Sequence, residues 1–144
     1  MPSLPTVGGD GGTWGAELNE YLTVAHAANG THNIIASVWR TVGATGEPAF
    51  SNSWVLFGSV YEAPAFYKDM NGRVHLRGMT SGGSPIPGAI FTLPVGYRPA
   101  LRETFATVSN GALGRIDVYP DGQVRAELGS NAWFNLSGAS FSVA

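Results

Sequence analysis

Residues 66–78 and 114–128 each alternate apolar and polar side chains on either side of a short turn containing glycine, and that period of two restricts the chain to paired β-strands. In the first segment Asp69-Met70-Asn71-Gly72 is the turn, and Val74 and Leu76 fall on the opposite face from Arg73, His75 and Arg77. In the second, Pro120-Asp121-Gly122 is the turn. Ile116 and Val118 alternate with Arg115, Asp117 and Tyr119, and beyond the turn Val124, Ala126 and Leu128 alternate with Gln123, Arg125 and Glu127. A slip of one residue would expose every apolar side chain of a strand, so burial of one face fixes the register.

The rest of the chain from Asn33 onward carries the same signals. Short Val/Ile/Thr/Phe/Tyr runs predict strands at about 34–41, 54–58, 65–70, 73–79, 88–93, 103–108, 114–119, 123–128 and 133–143. Twenty glycines and nine prolines supply the turns between them and follow no collagen period. The predicted fold is mainly β, a β-sandwich or jelly-roll-like domain over 34–144.

Charge and cysteine content exclude several functions. Eight basic and ten acidic residues give a net charge of −2, with the cations scattered singly, whereas phosphate binding needs a concentrated basic surface. Nucleic acid is therefore not an expected partner. Without cysteine there is neither a disulfide framework nor a thiolate metal site, so stability must come from the core or from partner subunits. No apolar run approaches the ~18 residues that span a bilayer, and no export signal follows Met1, so membrane insertion is not expected and synthesis is expected in the cytosol.

Residues 1–33 read differently. Gly8-Gly9-Asp10-Gly11-Gly12 is a hinge; it lacks the Gly-Lys-Ser/Thr ending of a phosphate loop. Thr13 can cap a helix over about 14–28, with Glu17 and Glu20 near its positive end and Asn29-Gly30 stopping it. Trp14, Leu18, Tyr21, Leu22 and Ala25 form one apolar face. A lone helix of that length is marginal in water, so the face must pack either on the β-domain or on copies of itself.

Two blocks carry a resemblance. Val74 to Ala100 contains Val-His-Leu-Arg-Gly and then Gly-Ala-Ile-Phe-Thr-Leu-Pro-Val-Gly-Tyr-Arg-Pro-Ala. The N-terminal block runs Leu4-Pro5-Thr6-Val7-Gly8-Gly9-Asp10, Trp14-Gly15, Leu18-Asn19, His26 and Asn29-Gly30-Thr31-His32. The first resembles the C-terminal domain of bacteriophage tail-fibre and receptor-binding proteins, the second their N-terminal attachment segment. Outside a gap at about 36–52 the likeness spans most of the chain, but it departs from the family in lacking the long repetitive shaft between the blocks. It implies a virion structural protein: a homotrimer closed by the Trp14, Leu18, Tyr21, Leu22 and Ala25 face, joined to other virion proteins through the N-terminal segment, with a tip that presents a surface to host saccharide. A tail-tip plug or a capsid decoration protein fits the shortened form as well.

Saccharides are held by aromatic rings stacked on their C–H faces and by hydrogen bonds to their hydroxyls. The candidates beside predicted turns are Tyr67 with Asp69, Tyr119 with Asp121, and Asn131 with Trp133. Trp133, after Gly129-Ser130-Asn131, is the strongest. Catalysis is not expected: no Gly-x-Ser-x-Gly elbow marks a nucleophile, and the acids that could pair for glycoside cleavage are Asp117, Asp121 and Glu127. No cofactor is expected. A metal site could arise only if His26 and His32 from three copies met on an axis. His75, between Arg73 and Arg77, reads as a ladder residue of its strand.

Overall fold

The computed structural model describes residues 38–143. The helix expected over 14–28, the His26/His32 pair, the Trp14–Ala25 face and the first part of the strand expected at 34–41 lie outside the described residues.

Among the described residues there is no helix, and eleven strands form two antiparallel sheets. They are β1 (Arg40–Thr41), β2 (Val55–Leu56), β3 (Ala65–Lys68), β4 (Arg73–Arg77), β5 (Met79–Ser81), β6 (Gly88–Thr92), β7 (Glu103–Ser109), β8 (Ala112–Val118), β9 (Gln123–Leu128), β10 (Phe134–Asn135) and β11 (Ser140–Ser142). One sheet has the order β1-β3-β4-β11 and the other β2-β5-β10-β7-β8-β9-β6. The two share one core in a sandwich-like arrangement. Phe66, Val74, Leu76 and Phe141 from the first sheet meet Ile90, Phe91, Ile116, Val118, Val124 and Phe134 from the second. Phe66 stacks on Phe91 across the core with ring centres 6.1 Å apart.

The alternation buries Val74, Leu76, Ile116, Val118, Val124 and Ala126 as expected, but Leu128 is 52% exposed, because a register shift between Arg115 and Ile116 sets it opposite Arg115 instead of continuing the buried face. Two expected strands are each broken in two. The run 73–79 stops at Gly78 and resumes as β5 in the other sheet, and the run 133–143 divides into β10 and β11, also in different sheets. The cause is a corner that sequence alternation does not encode. Gly78 has φ +102°, and a Cβ on it would lie 2.4 Å from the backbone of Ala63 and Pro64. Its N–H donates to Ser137 Oγ at 3.0 Å and its carbonyl accepts from Leu136 N at 2.8 Å, so the two corners lock each other.

Phe91-Thr92-Leu93-Pro94-Val95-Gly96-Tyr97-Arg98-Pro99 clips the two sheets together. Phe91 and Leu93 are buried. Tyr97 N–H closes a turn on the Pro94 carbonyl at 3.1 Å, and the Tyr97 ring packs edge-on against Phe66, 5.3 Å between centres. Arg98 Nε donates to the Leu93 carbonyl at 2.8 Å, and Lys68 Nζ donates to the Gly96 carbonyl at 2.9 Å.

These links define two ends of the domain. One end holds the 69–72, 94–98 and 120–122 turns: Leu93 N–H donates to the Gly122 carbonyl, and Lys68 reaches Gly96. The other holds the Asn110-Gly111 turn, the Gly129–Trp133 loop and Gly82, joined by Asn110 N to Trp133 O and Gly82 N to Asn131 O. Because β1 runs antiparallel to β3, with Arg40 opposite Phe66 and Thr41 opposite Ala65, Val38 lies toward the Lys68 end. The described chain thus enters at the first end, and the Trp133 loop is distal to it.

Candidate binding surface

The three expected aromatic and polar pairs do not converge on one site. Tyr67 and Asp69 lie at the entry end of the four-stranded sheet, Tyr119 and Asp121 at the entry end of the seven-stranded sheet, and Asn131 and Trp133 at the distal end. The seven residues of β8 alone separate Tyr119 from the distal turn by roughly 20 Å at the strand rise.

At the first location Tyr67, half-buried, has its ring already engaged. Its ring stacks on its cross-strand partner His75, 4.8 Å between centres at 15°, and meets Trp39 edge-on at 4.4 Å. Asp69 closes its own turn, accepting from Asn71 N at 2.9 Å, Arg73 N at 3.0 Å and His75 Nε2 at 2.8 Å. The bond to His75, with the backbone bond from Arg73 second, holds the Asp69 carboxyl below its ordinary value. His75 is therefore the ladder residue expected, and it also orders the turn.

At the second location Tyr119 lies beneath two guanidiniums, Arg102 at 4.4 Å and Arg125 at 5.4 Å from the ring centre. Burial and its 3.1 Å bond to Glu127 Oε1 push the Tyr119 hydroxyl up. Asp121 accepts from Gln123 N at 3.0 Å and from Gln123 Nε2 at 2.9 Å, and so serves the turn. Asp117, on the sheet's outer face, is nevertheless buried at 1% exposure. Arg102 Nε at 2.6 Å and Arg115 Nε at 3.1 Å donate to its two oxygens, while Arg125 Nε donates to Glu127 at 2.7 Å. The acids weighed for glycoside cleavage are thus ion-paired or turn-forming. The bond to Asp117 raises the Arg102 guanidinium above its ordinary value.

The distal end is built differently. Ser109, 1% exposed at the end of β7, is its hub: Ser130 N donates to Ser109 Oγ at 2.7 Å, and the Ser109 hydroxyl lies 3.0 Å from Ser130 O and 3.1 Å from Trp133 O. Ala132 N donates to Ser130 Oγ at 3.1 Å. The 129–133 loop is therefore pinned by its backbone, and its side chains are left over. Asn131 is exposed and Trp133 half-buried. Among the described residues neither a ring nor a guanidinium stacks on Trp133. Asn110 stands exposed beside it, at the tip of the hairpin joining β7 and β8.

Three non-glycine residues among those described have positive φ: Asn52, Ser53 and Asn110. All three belong to the distal end, since Ser53 O lies against Gly82 and Asn52 O accepts from Ser84 N. Such conformations concentrate where loops present a surface. Ser109 and Asn110 were not singled out from sequence, although Asn110-Gly111 between two β runs is a hairpin signal. No group of acids and histidines among the described residues is placed to hold a metal ion.

No family model, no curated protein and no solved structure matches this chain.

Proposed function

We propose that the chain is the tip of a short phage-type fibre, a virion structural protein whose distal loops bind a host-surface saccharide. The observation that carries this reading is the position of Trp133. It is a tryptophan without a stacking partner among the described residues, on a loop pinned by backbone bonds, at the end opposite to where the chain enters. A rigid loop offers an aromatic face at little entropic cost, which is what a sugar C–H face requires.

In this reading residues 1–33 supply the attachment segment and the helix over about 14–28, and the Trp14, Leu18, Tyr21, Leu22 and Ala25 face closes a homotrimer. Light scattering on the full chain should give three times the 15.1 kDa chain mass. A monomer at micromolar concentration would refute the trimer.

The binding role is tested with particles that carry the chain. Trp133→Ala should reduce adsorption to host cells while leaving the melting temperature of the protein nearly unchanged. Adsorption equal to the parent's would refute a receptor role at this loop. Immunogold labelling should place the protein at the tail; label spread over the capsid would favour the decoration role instead.

A further inference from the structure

Resting on the reading of the distal loops as a saccharide site, we infer that its ligand is an uncharged sugar, a neutral hexose or N-acetylhexosamine, and not a uronate, sialate or phosphate-bearing glycan. The distal surface is assembled from connections within 51–61, 79–90, 106–114 and 128–137. None of these four segments contains an Asp, Glu, Lys, Arg or His.

Most charges lie elsewhere; Arg77 and Glu62, paired with each other at 3.4 Å, flank the Gly78 corner that leads into β5. Lys68, Asp69, Arg73, Arg98 and Asp121 lie in or beside the turns at the entry end, and Arg102, Arg125 and Glu127 belong to the network around Tyr119. The nearest cation along the distal hairpin is Arg115, five residues beyond Asn110 and hence roughly 16 Å away along the strand. Its guanidinium is turned to Asp117 at 3.1 Å, away from the tip. That separation exceeds the Debye length of ~8 Å at physiological salt.

An anionic sugar docked here would surrender hydration of its charge and find no cation in return, whereas protein sites for carboxylate and phosphate supply arginine or lysine. A neutral sugar loses little. Asn110 and Asn131 each offer an amide donor and acceptor that match hydroxyl and acetamido groups. Val108 and Leu113, opposite each other beside the turn and 50% and 66% exposed, add an apolar flank for a methyl or methylene group.

The test follows the indole N–H signals of the 15N-labelled full chain, with Trp133→Phe identifying the Trp133 signal. The probes are methyl glucoside and its acidic counterpart methyl glucuronide, then fucose and N-acetylglucosamine, and N-acetylneuraminate as a second acid. At least one neutral probe should shift the Trp133 signal below about 50 mM, and the acids should bind at least about ten-fold more weakly. The midpoint should change less than about two-fold when sodium chloride rises from about 50 to about 500 mM. Ala132→Lys should confer glucuronide binding that weakens with salt. An acid that binds at Trp133 as well as its neutral counterpart, or a midpoint that rises steeply with salt, overturns the inference and leaves the saccharide site standing. A Trp133 signal unmoved by every probe overturns both.

Discussion

Ser109→Ala isolates the element that holds the distal loop. The substitution keeps Cβ, so it opens little space in a position wedged between Gly114 and Gly129, whose hypothetical Cβ atoms would lie 3.0 Å and 2.8 Å from Ser109 Cβ. It removes one accepted bond, from Ser130 N at 2.7 Å, and one donated bond shared between Ser130 O and Trp133 O at 3.0 and 3.1 Å. Each such bond contributes about 1 kcal/mol net, and a buried group left without a partner costs more, so the expected loss is about 2 kcal/mol. For a domain of about 100 residues that lowers the melting temperature by roughly 8 °C or more. Thermal denaturation gives the global figure. Amide exchange at Ser130 and Ala132 localises it, and both should lose protection while amides of β8 and β9 change only with global stability. A melting temperature within about 2 °C of the parent, with Ser130 still protected, would show that Ser109 does not hold the loop.

Gly122→Val should lower the melting temperature more than Gly43→Val. Both glycines have positive φ, +94° and +84°, but at Gly122 a Cβ would also lie 2.5 Å from the Leu93 carbonyl oxygen, whereas at Gly43 it meets only the Phe50 ring at 3.3 Å; equal losses would refute the closer fit at Gly122. Asp69→Asn should destabilise the domain at neutral pH. Because the folded carboxyl lies below its ordinary value, its contribution is present above the unfolded range near ~4 and is lost as pH falls through the folded value, so parent and variant melting curves should converge in acid. A constant gap down to about pH 2 would assign the effect to something other than ionisation.

Much of the architecture was legible because a period of two survives in the sequence wherever a strand has one wet face. The 114–128 hairpin and the Val74/Leu76 face needed no more than that. The failures have a common cause. Gly78 sits in an alternating run, and only the approach of Ala63 and Pro64 from another part of the chain explains why the strand must turn there and change sheets. The same nonlocality hides what the candidate binding aromatics touch. Tyr67 and Tyr119 stand beside turns as ligand-binding aromatics do, yet their rings are taken by Trp39 and His75 and by Arg102 and Arg125, partners the local sequence does not reveal. The loop position of Trp133 was legible because Gly129-Ser130-Asn131 reads as a turn and not as a strand. Ser109 was not, because a serine at a strand end looks like any turn residue until the carbonyls it meets are known.

If the distal loops bind a saccharide as proposed, their lack of charged side chains limits how strongly one site can hold it. Neutral hydroxyls exchange hydrogen bonds with water for hydrogen bonds with asparagine, a trade that leaves about 1 kcal/mol per bond at best. One half-buried tryptophan and two asparagines therefore support no more than millimolar to micromolar affinity at a single site. Nor would such an end draw a ligand by long-range attraction, since most charges of the described residues lie toward the other end and, like the Arg77–Glu62 pair beside the Gly78 corner, are largely paired. Such a site becomes useful only when repeated, because linked sites raise effective concentration without new contacts. In the proposed reading a neutral tip and a trimeric attachment segment would act together: the first would avoid nonspecific capture by charged surfaces at the expense of single-site strength, and the second would restore strength where the sugar is displayed densely.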